Sequence, residues 1–255
     1  VDDNIMGMIS SARIIMNAEK QGNKLTTLCS FCYNVLKRTN DVLKNDFEKR
    51  AKICEFLEED YKGEIEVVHF LEILRDDVGF DRLKGAVRKE LGGLKVVPYY
   101  GCQIIRPASV LKFDDPENPM ILDDFLKSLG CHVVDFPFKV ECCGSYQIIH
   151  PEVKDTALGC SYNILKSALQ NGAEALALSC PVCYFNLDKK QNEMAEKFGD
   201  FDRIPIVYFT ELLGLALDVD FKLFDFSKHA MDPRPLLIEK GLIDDMRISV
   251  KEEAK

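Results

Sequence analysis

One short motif occurs twice in this chain of 255 residues. Leu28 to Arg38 reads LCSFCYNVLKR and Ser179 to Lys190 reads SCPVCYFNLDKK, so C-x-x-C-Y-x-x-L recurs at an offset of 151 positions, from Cys29 to Cys180. Each copy follows a short apolar segment, which itself follows a helical pattern. A motif repeated together with its setting points to an internal duplication, each copy being one supersecondary unit. Moving Cys142, Cys143 and Cys102 back by the same offset places them before Val1. The chain is therefore expected to begin inside its first repeat, with three of that repeat's cysteines missing.

Apolar spacing predicts helices over Ile5–Lys20, Val35–Tyr61 and Ile65–Lys89, the last interrupted near Gly79. At Leu94 the texture changes. LKVVPYYGC reads as a buried strand and turn, then a helix over about Pro119–Leu129, the strand CHVVDF, and the ECCGS loop. A helix from Pro151 to about Gln170 follows, Pro151 suiting a first helical position. AEALALS is a further strand, Tyr184–Phe198 a helix, IPIVYF a strand, TELLGLAL a helix, and Arg234–Lys240 a last short helix. Alternating strands and helices predict an α/β fold with a mainly parallel sheet. Residues 1–90 are expected to hold the end of the first repeat plus a helical connector. Residues 91–255 are expected to hold a complete second repeat and its tail.

The net charge of −9 argues against nucleic acid or an anionic membrane as partner. The longest apolar runs are too short to span a bilayer. With no secretory signal visible, the ten cysteines read as metal ligands or redox groups of a cytoplasmic protein rather than a disulfide framework. No G-x-G-x-x-G, P-loop or H-E-x-x-H occurs, so bound flavin, nicotinamide or nucleotide is not expected.

In the second repeat the cysteines are Cys102, Cys142, Cys143, Cys180 and Cys183, in the pattern C-x39-C-C-x36-C-x-x-C. Each group follows a predicted strand, and the C-terminal ends of parallel strands share one edge, where loops build sites. Gly101 and Gly144 allow close backbone approach. Cys180 and Cys183 open a helix, whose free N–H groups favour thiolates. Five thiolates exceed the four of a zinc site or of an ordinary cubane. Adjacent Cys142 and Cys143 do not readily form a disulfide with each other. They are expected to be neighbouring ligands of a larger iron–sulfur cluster.

The segments ECCGS, YYGCQIIRP, SCPVCYFNLD, VYFTELLGLAL and MDPRPLL resemble the cysteine-rich CCG family, and within it the B subunits of CoB–CoM heterodisulfide reductase. The resemblance covers nearly the whole chain. It implies two tandem CCG-type repeats, each holding a noncubane [4Fe-4S] cluster, with a disulfide such as CoM–S–S–CoB cleaved to two thiols between them. It assigns Cys102, Cys142, Cys143, Cys180 and Cys183 to one cluster, which carries the catalysis, and Cys29 and Cys32 to a second, incomplete one. It implies as partners a flavin-bearing A subunit, an iron–sulfur C subunit and a small disulfide substrate. Two rivals stand beside this reading: a non-catalytic electron-transfer subunit of a CCG-domain complex, and a zinc-binding structural module.

Among other residues, Cys54 and Cys160 read as helix core positions, and Cys131 as core or close to the cluster. His150 reads as a capping residue or a proton donor, and His69, His132 and His229 as structural. Arg106 reads as an anion contact or a loop tie.

Overall fold

The computed structural model describes residues 4–199 and 201–244. Its elements run α1 (Ile5–Glu19), β1 (Lys24–Thr27), α2 (Ser30–Asn45), α3 (Phe47–Leu57), β2 (Glu66–His69), α4 (Phe70–Glu72) and a π-helical turn (Ile73–Val78). Then come α5 (Phe80–Ala86), β3 (Lys95–Pro98), α6 (Ala108–Leu111), α7 (Ile121–Ser128), β4 (His132–Val133) and a 3-10 turn (Ser145–Ile149). The chain continues with α8 (Lys154–Gln170), β5 (Ala175–Leu178), α9 (Pro181–Leu187), α10 (Gln191–Phe198), β6 (Ile206–Tyr208), α11 (Phe209–Ala216) and α12 (Arg234–Glu239).

The strands form two small parallel sheets flanked by helices. β1 pairs with β2, from Lys24 opposite Glu66 to Thr27 opposite His69. The other sheet has the order β4-β3-β5-β6. After β3 the chain winds outward to β4, then returns to lay β5 on the opposite side of β3. That reversal makes the gap between β3 and β5 the topological switch point, where the loops beyond the strand ends diverge to leave a crevice. β5 is ALAL, buried at all four residues, as a central parallel strand covered on both faces must be.

The two sheets repeat one design. In each, a strand leads into a C-x-x-C helix and pairs with a following strand: β1 with β2, and β5 with β6. That second strand ends at His69 or Tyr208, whose N–H donates to a glutamate three residues on, Glu72 at 2.7 Å or Glu211 at 2.8 Å. The halves also share a core. Tyr33 and His69 pack against Phe113 and Phe209, with Phe125 behind them. Between the two C-x-x-C motifs, the buried hydroxyls of Ser30 and Ser179 meet at 2.6 Å.

Several elements depart from the sequence reading. Glu66–His69 is a strand, not helix: Val67, Val68 and His69 are buried beside β1, and periodicity cannot separate so short an apolar run from helix. The helix expected over Val35–Tyr61 begins at Ser30 and breaks at Asp46, whose carboxylate caps α3 by accepting the Lys49 N–H at 3.0 Å. Pro151 lies in a turn, and α8 starts only at Lys154, because the Val153 N–H closes back on the His150 carbonyl. The helix expected over Tyr184–Phe198 is two, divided near Asp188, whose buried carboxylate accepts the Ala230 and Met231 N–H groups. CHVVDF pairs only at His132 and Val133.

The serine contact gives a test of how the halves are joined. Ser30→Ala or Ser179→Ala alone is expected to cost about 1–3 kcal/mol, because each strands a buried hydroxyl. The double variant is expected to cost less than the sum. Urea titration of the four proteins, closed as a double-mutant cycle, checks this.

Candidate metal centre

Parallel pairing gathers the cysteine loops at one edge. Cys102 follows β3, Cys142 and Cys143 follow β4, Cys180 follows β5, and Cys29 follows β1. The five cysteines of the second repeat lie in a line, each beside the next, and do not form a closed ring. Cys102 reaches Cys142, Cys142 its neighbour Cys143, and Cys143 contacts Cys183 at 3.4 Å between sulfurs. Cys183 reaches Cys180, and Cys180 reaches Cys29 of the first repeat, which meets Cys32. Seven sulfurs thus form one string across the seam between the halves. Cys143, Cys180 and Cys183 are buried, while Cys32 and Cys142 open to solvent.

The chemistry of the string follows from its crowding. Cys142 accepts from Cys102 and Cys143 and from the Gly144 N–H, which together hold it down to about 2. Cys180, accepting from Cys183 and Cys29 and from the amides of Cys183 and Val182 at the start of α9, is held down to about 3. The donors move the other way: Cys143 is pushed up to about 12 by its bond to Cys142, and Cys102, Cys29 and Cys183 rise for the same reason. The leading influences on these thiols are other cysteines, burial, neighbouring amides and the Gln103 side chain; no Lys, Arg or His is among them.

Two glycines make the geometry possible. Gly144 has φ +90°, and a Cβ there would lie 2.6 Å from Cβ of Ala157. Gly101 has φ +64°, and a Cβ there would touch Sγ of Cys183 at 3.4 Å. The turn at Gly144 aims its own N–H at Cys142 and the Ser145 N–H at Cys143. Tyr99, donating to the Glu141 carbonyl at 2.7 Å, lies buried beside Cys102, Cys142, Cys143 and Cys183. Tyr146 is 48% exposed, packs edge-on against Phe31 at 5.4 Å, and lies near Cys29, Cys32 and Cys180.

Among the described residues, no three His, Cys, Asp or Glu side chains are arranged to hold one metal ion. Soft sulfur donors in a line, with backbone N–H groups aimed at them, fit an iron–sulfur group that spreads its charge over several atoms.

The comparisons with known proteins bear on the same residues. The family model described as a cysteine-rich CCG domain matches residues 96–188. The B subunit of the ferredoxin/F(420)H(2)-dependent CoB–CoM heterodisulfide reductase of Methanosarcina acetivorans is 32% identical over 210 residues, covering 81% of this chain and 70% of that protein. The chain belongs to the cysteine-rich family of heterodisulfide reductase B subunits. The similarity extends to the 8-methylmenaquinol:fumarate reductase membrane anchor subunit of Wolinella succinogenes, 30% identical over 239 residues, covering 92% of this chain and 81% of that one. A hypothetical protein from Helicobacter pylori shares the fold, with a TM-score of 0.68 at 13% identity, over 88% of this chain and 41% of its own. Among the described residues, no helix is long and apolar enough to cross a membrane.

Several site residues of this family member went unread in the sequence. Asn186 donates to the carbonyls of Cys143 and Ser145 at 2.9 and 3.0 Å, and Ser161 donates to the Cys143 carbonyl at 2.8 Å. His69, read as structural, is buried near Cys180; its Nδ1 accepts the Leu71 N–H, and burial pushes the ring down to about 3. The signal for it was a second repeated string, HFLE at His69 and YFTE at Tyr208. Cys131 is core, held up to about 12 by burial, and Cys54 is half-buried. Cys160 is also half-buried and lies near Cys142. Arg106 ties its loop to the Val140 carbonyl at 3.2 Å and faces Glu117. His150 is exposed and ends the 3-10 turn; His229 bridges the Ile206 carbonyl and Glu211.

Gly144→Ala is expected to cost about 2–4 kcal/mol, joining the strain of a left-handed residue to overpacking. Gly172→Ala, at φ +83° with open space around it, carries only the backbone part, about 1–2 kcal/mol. Chemical denaturation of the two variants checks the difference.

Proposed function

We propose that this chain is the iron–sulfur subunit that reduces a disulfide to two thiols within a multisubunit oxidoreductase complex. Cys102, Cys142, Cys143, Cys180 and Cys183 hold one noncubane [4Fe-4S] cluster, with residues 91–255 as the complete repeat around it. Cys29 and Cys32, within residues 1–90, belong to a second cluster. One observation carries the reading: the hydroxyls of Ser30 and Ser179, the chain neighbours of Cys29 and Cys180, meet at 2.6 Å and bring the two C-x-x-C motifs side by side. The two ligand groups therefore meet at one seam, where a substrate with two adjacent sulfurs touches both.

Breaking an S–S bond takes two electrons and two protons and yields two thiols. Iron–sulfur clusters supply the electrons and a soft metal for which sulfur is a good ligand. The two protons are taken up from water at the open side of the seam, where Cys32 and Cys142 face solvent, and this chain's residues orient the leaving sulfurs. Tyr146 stands at the solvent side of the seam, and burial with the charge of nearby cysteines raises its phenol. It keeps its proton at neutral pH and offers a hydrogen bond at Oη to a leaving sulfur. Gly101 and Gly144 leave the approach free of side chains. The electrons come from a flavin-bearing A subunit through an iron–sulfur C subunit, and the substrate is CoM–S–S–CoB or a related disulfide.

A second reading has an observation in its favour. The similarity to a fumarate reductase subunit covers more of this chain than does the similarity to the heterodisulfide reductase protein. On that reading the clusters relay electrons and touch no substrate.

Two experiments separate these ideas. Cys143→Ser is expected to lose most of the iron of the second repeat, since oxygen is the poorer ligand, while Cys54→Ser and Cys131→Ser keep it. Equal loss in all three would remove the assignment of ligands. For the role, the oxidised complex is mixed with each product thiol carrying a magnetic sulfur isotope. Broadening of the cluster's paramagnetic spectrum is expected if substrate sulfur binds there. Unchanged spectra with both thiols at saturation would favour the relay.

A further inference from the structure

Among the described residues, three buried side-chain polar atoms lack a partner: Oδ1 of Asn34, Nε2 of His69 and Oδ1 of Asn186. All three belong to the walls of the cysteine site. A bare buried polar group is costly, whether donor or acceptor, and a fold seldom tolerates one without a compensating gain elsewhere. For both asparagines the gain is the same. Each stands on a helix opened by a C-x-x-C motif, α2 or α9, and commits both Nδ2 hydrogens to two carbonyls of another cysteine loop. Each carbonyl can only accept, so the amide must present its nitrogen to them and leave its oxygen bare.

Asn186 works inside the second repeat. Asn34 works across the seam. It is 1% exposed, and from α2 it donates to the carbonyls of Gln103 and Arg106, both at 2.7 Å. These residues form the turn that carries Cys102: the Arg106 N–H closes on the Cys102 carbonyl at 3.1 Å, and the Gln103 amide reaches Sγ of Cys102 at 3.7 Å. The Arg106 guanidinium extends the brace to Val140, just before Cys142. Cys29 caps the same α2 helix and Cys32 lies in its first turn, two residues before Asn34.

We propose that Asn34 is a positioning residue that fixes Cys102 from the opposite repeat, so that the second repeat's ligand set depends on how the Cys29–Cys32 helix is seated. A shift of α2 at its N-terminus moves Asn34 with it, and Asn34 moves the Cys102 turn. The inference deepens the iron–sulfur reading, on which its spectroscopic arm rests; its first arm needs no metal.

The test uses Asn34→Ala and, as control, Asn40→Ala. Asn40 lies further along α2, buried, where it holds Tyr61 and the Ile65 carbonyl away from the cysteines. In the cluster-free chain, mass spectrometry follows alkylation of each cysteine by iodoacetamide. Asn34→Ala is expected to speed modification of Cys102 several-fold and to leave Cys54 unchanged, while Asn40→Ala leaves Cys102 at the wild-type rate. In the iron-loaded chain, Asn34→Ala is expected to shift the g-values of the second-repeat cluster and weaken iron retention about tenfold, the usual scale for losing a group that orients a ligand. Should Asn34→Ala fail to fold, Asn34→Gln, which keeps the donors but displaces them, takes its place with the same outcomes. Failure of Asn34→Gln to fold as well would make Asn34 a brace of the fold and overturn the proposal. So would a wild-type rate at Cys102, or an equal effect from Asn40→Ala. A wild-type chain that takes up no iron would defeat the iron–sulfur reading, while the alkylation rates would still decide this one.

Discussion

Seven sulfurs in one string, each beside the next, are the constraint on which the rest of this structure depends. A thiolate beside a thiolate is repelled, and burial in a weakly polar setting worsens the repulsion. Here the string answers by alternation: Cys142 and Cys180 are held low, and the neighbours that donate to them are held high. Neighbouring amides help, and no lysine or arginine side chain leads at Cys29, Cys102, Cys142, Cys143, Cys180 or Cys183. A donor set so rich in electrons and so poor in cations is completed by protons or by metal. That is the physical content of the family membership.

The scaffold around the string is built to hold sulfur loops rather than to fill a pocket. Short parallel strands deliver the loops to one edge, and the reversal between β3 and β5 opens the crevice. Helix starts at Ser30 and Pro181 turn N–H groups toward Cys29 and Cys180. The loop carrying Cys143 is then pinned by Asn186 and Ser161, and the shared aromatic core under Tyr33, His69 and Phe209 sets the two halves against each other. The costs are local: three bare buried atoms and one crowded glycine turn.

Much of this was legible in the sequence, and the limits were specific. The cysteine spacing and the duplicated C-x-x-C-Y motif pointed to the site, because chemistry at strand ends leaves a fixed local pattern. The buried strand ALAL was readable for its length and setting. Glu66–His69 was not, since four residues of this kind carry no period, and only pairing with β1 decides their form. The joining of Cys29 to Cys180 could not be read either, for contact across a seam leaves no spacing in the chain. Asn34, Asn186 and Ser161 are common residues whose meaning comes from the loops they reach. His69 stood nearer to legibility, because HFLE and YFTE each follow a C-x-x-C helix and the strand after it, although at a shorter offset than the cysteines.

The central claim is that this string of sulfurs is the ligand set of a multi-iron group. X-ray absorption at the metal edge of anaerobically purified protein tests it most directly. The account predicts iron with a shell of sulfur neighbours and, beyond it, scattering from other iron atoms. Zinc held by four sulfurs with no metal–metal scattering, in protein never exposed to air, would contradict it.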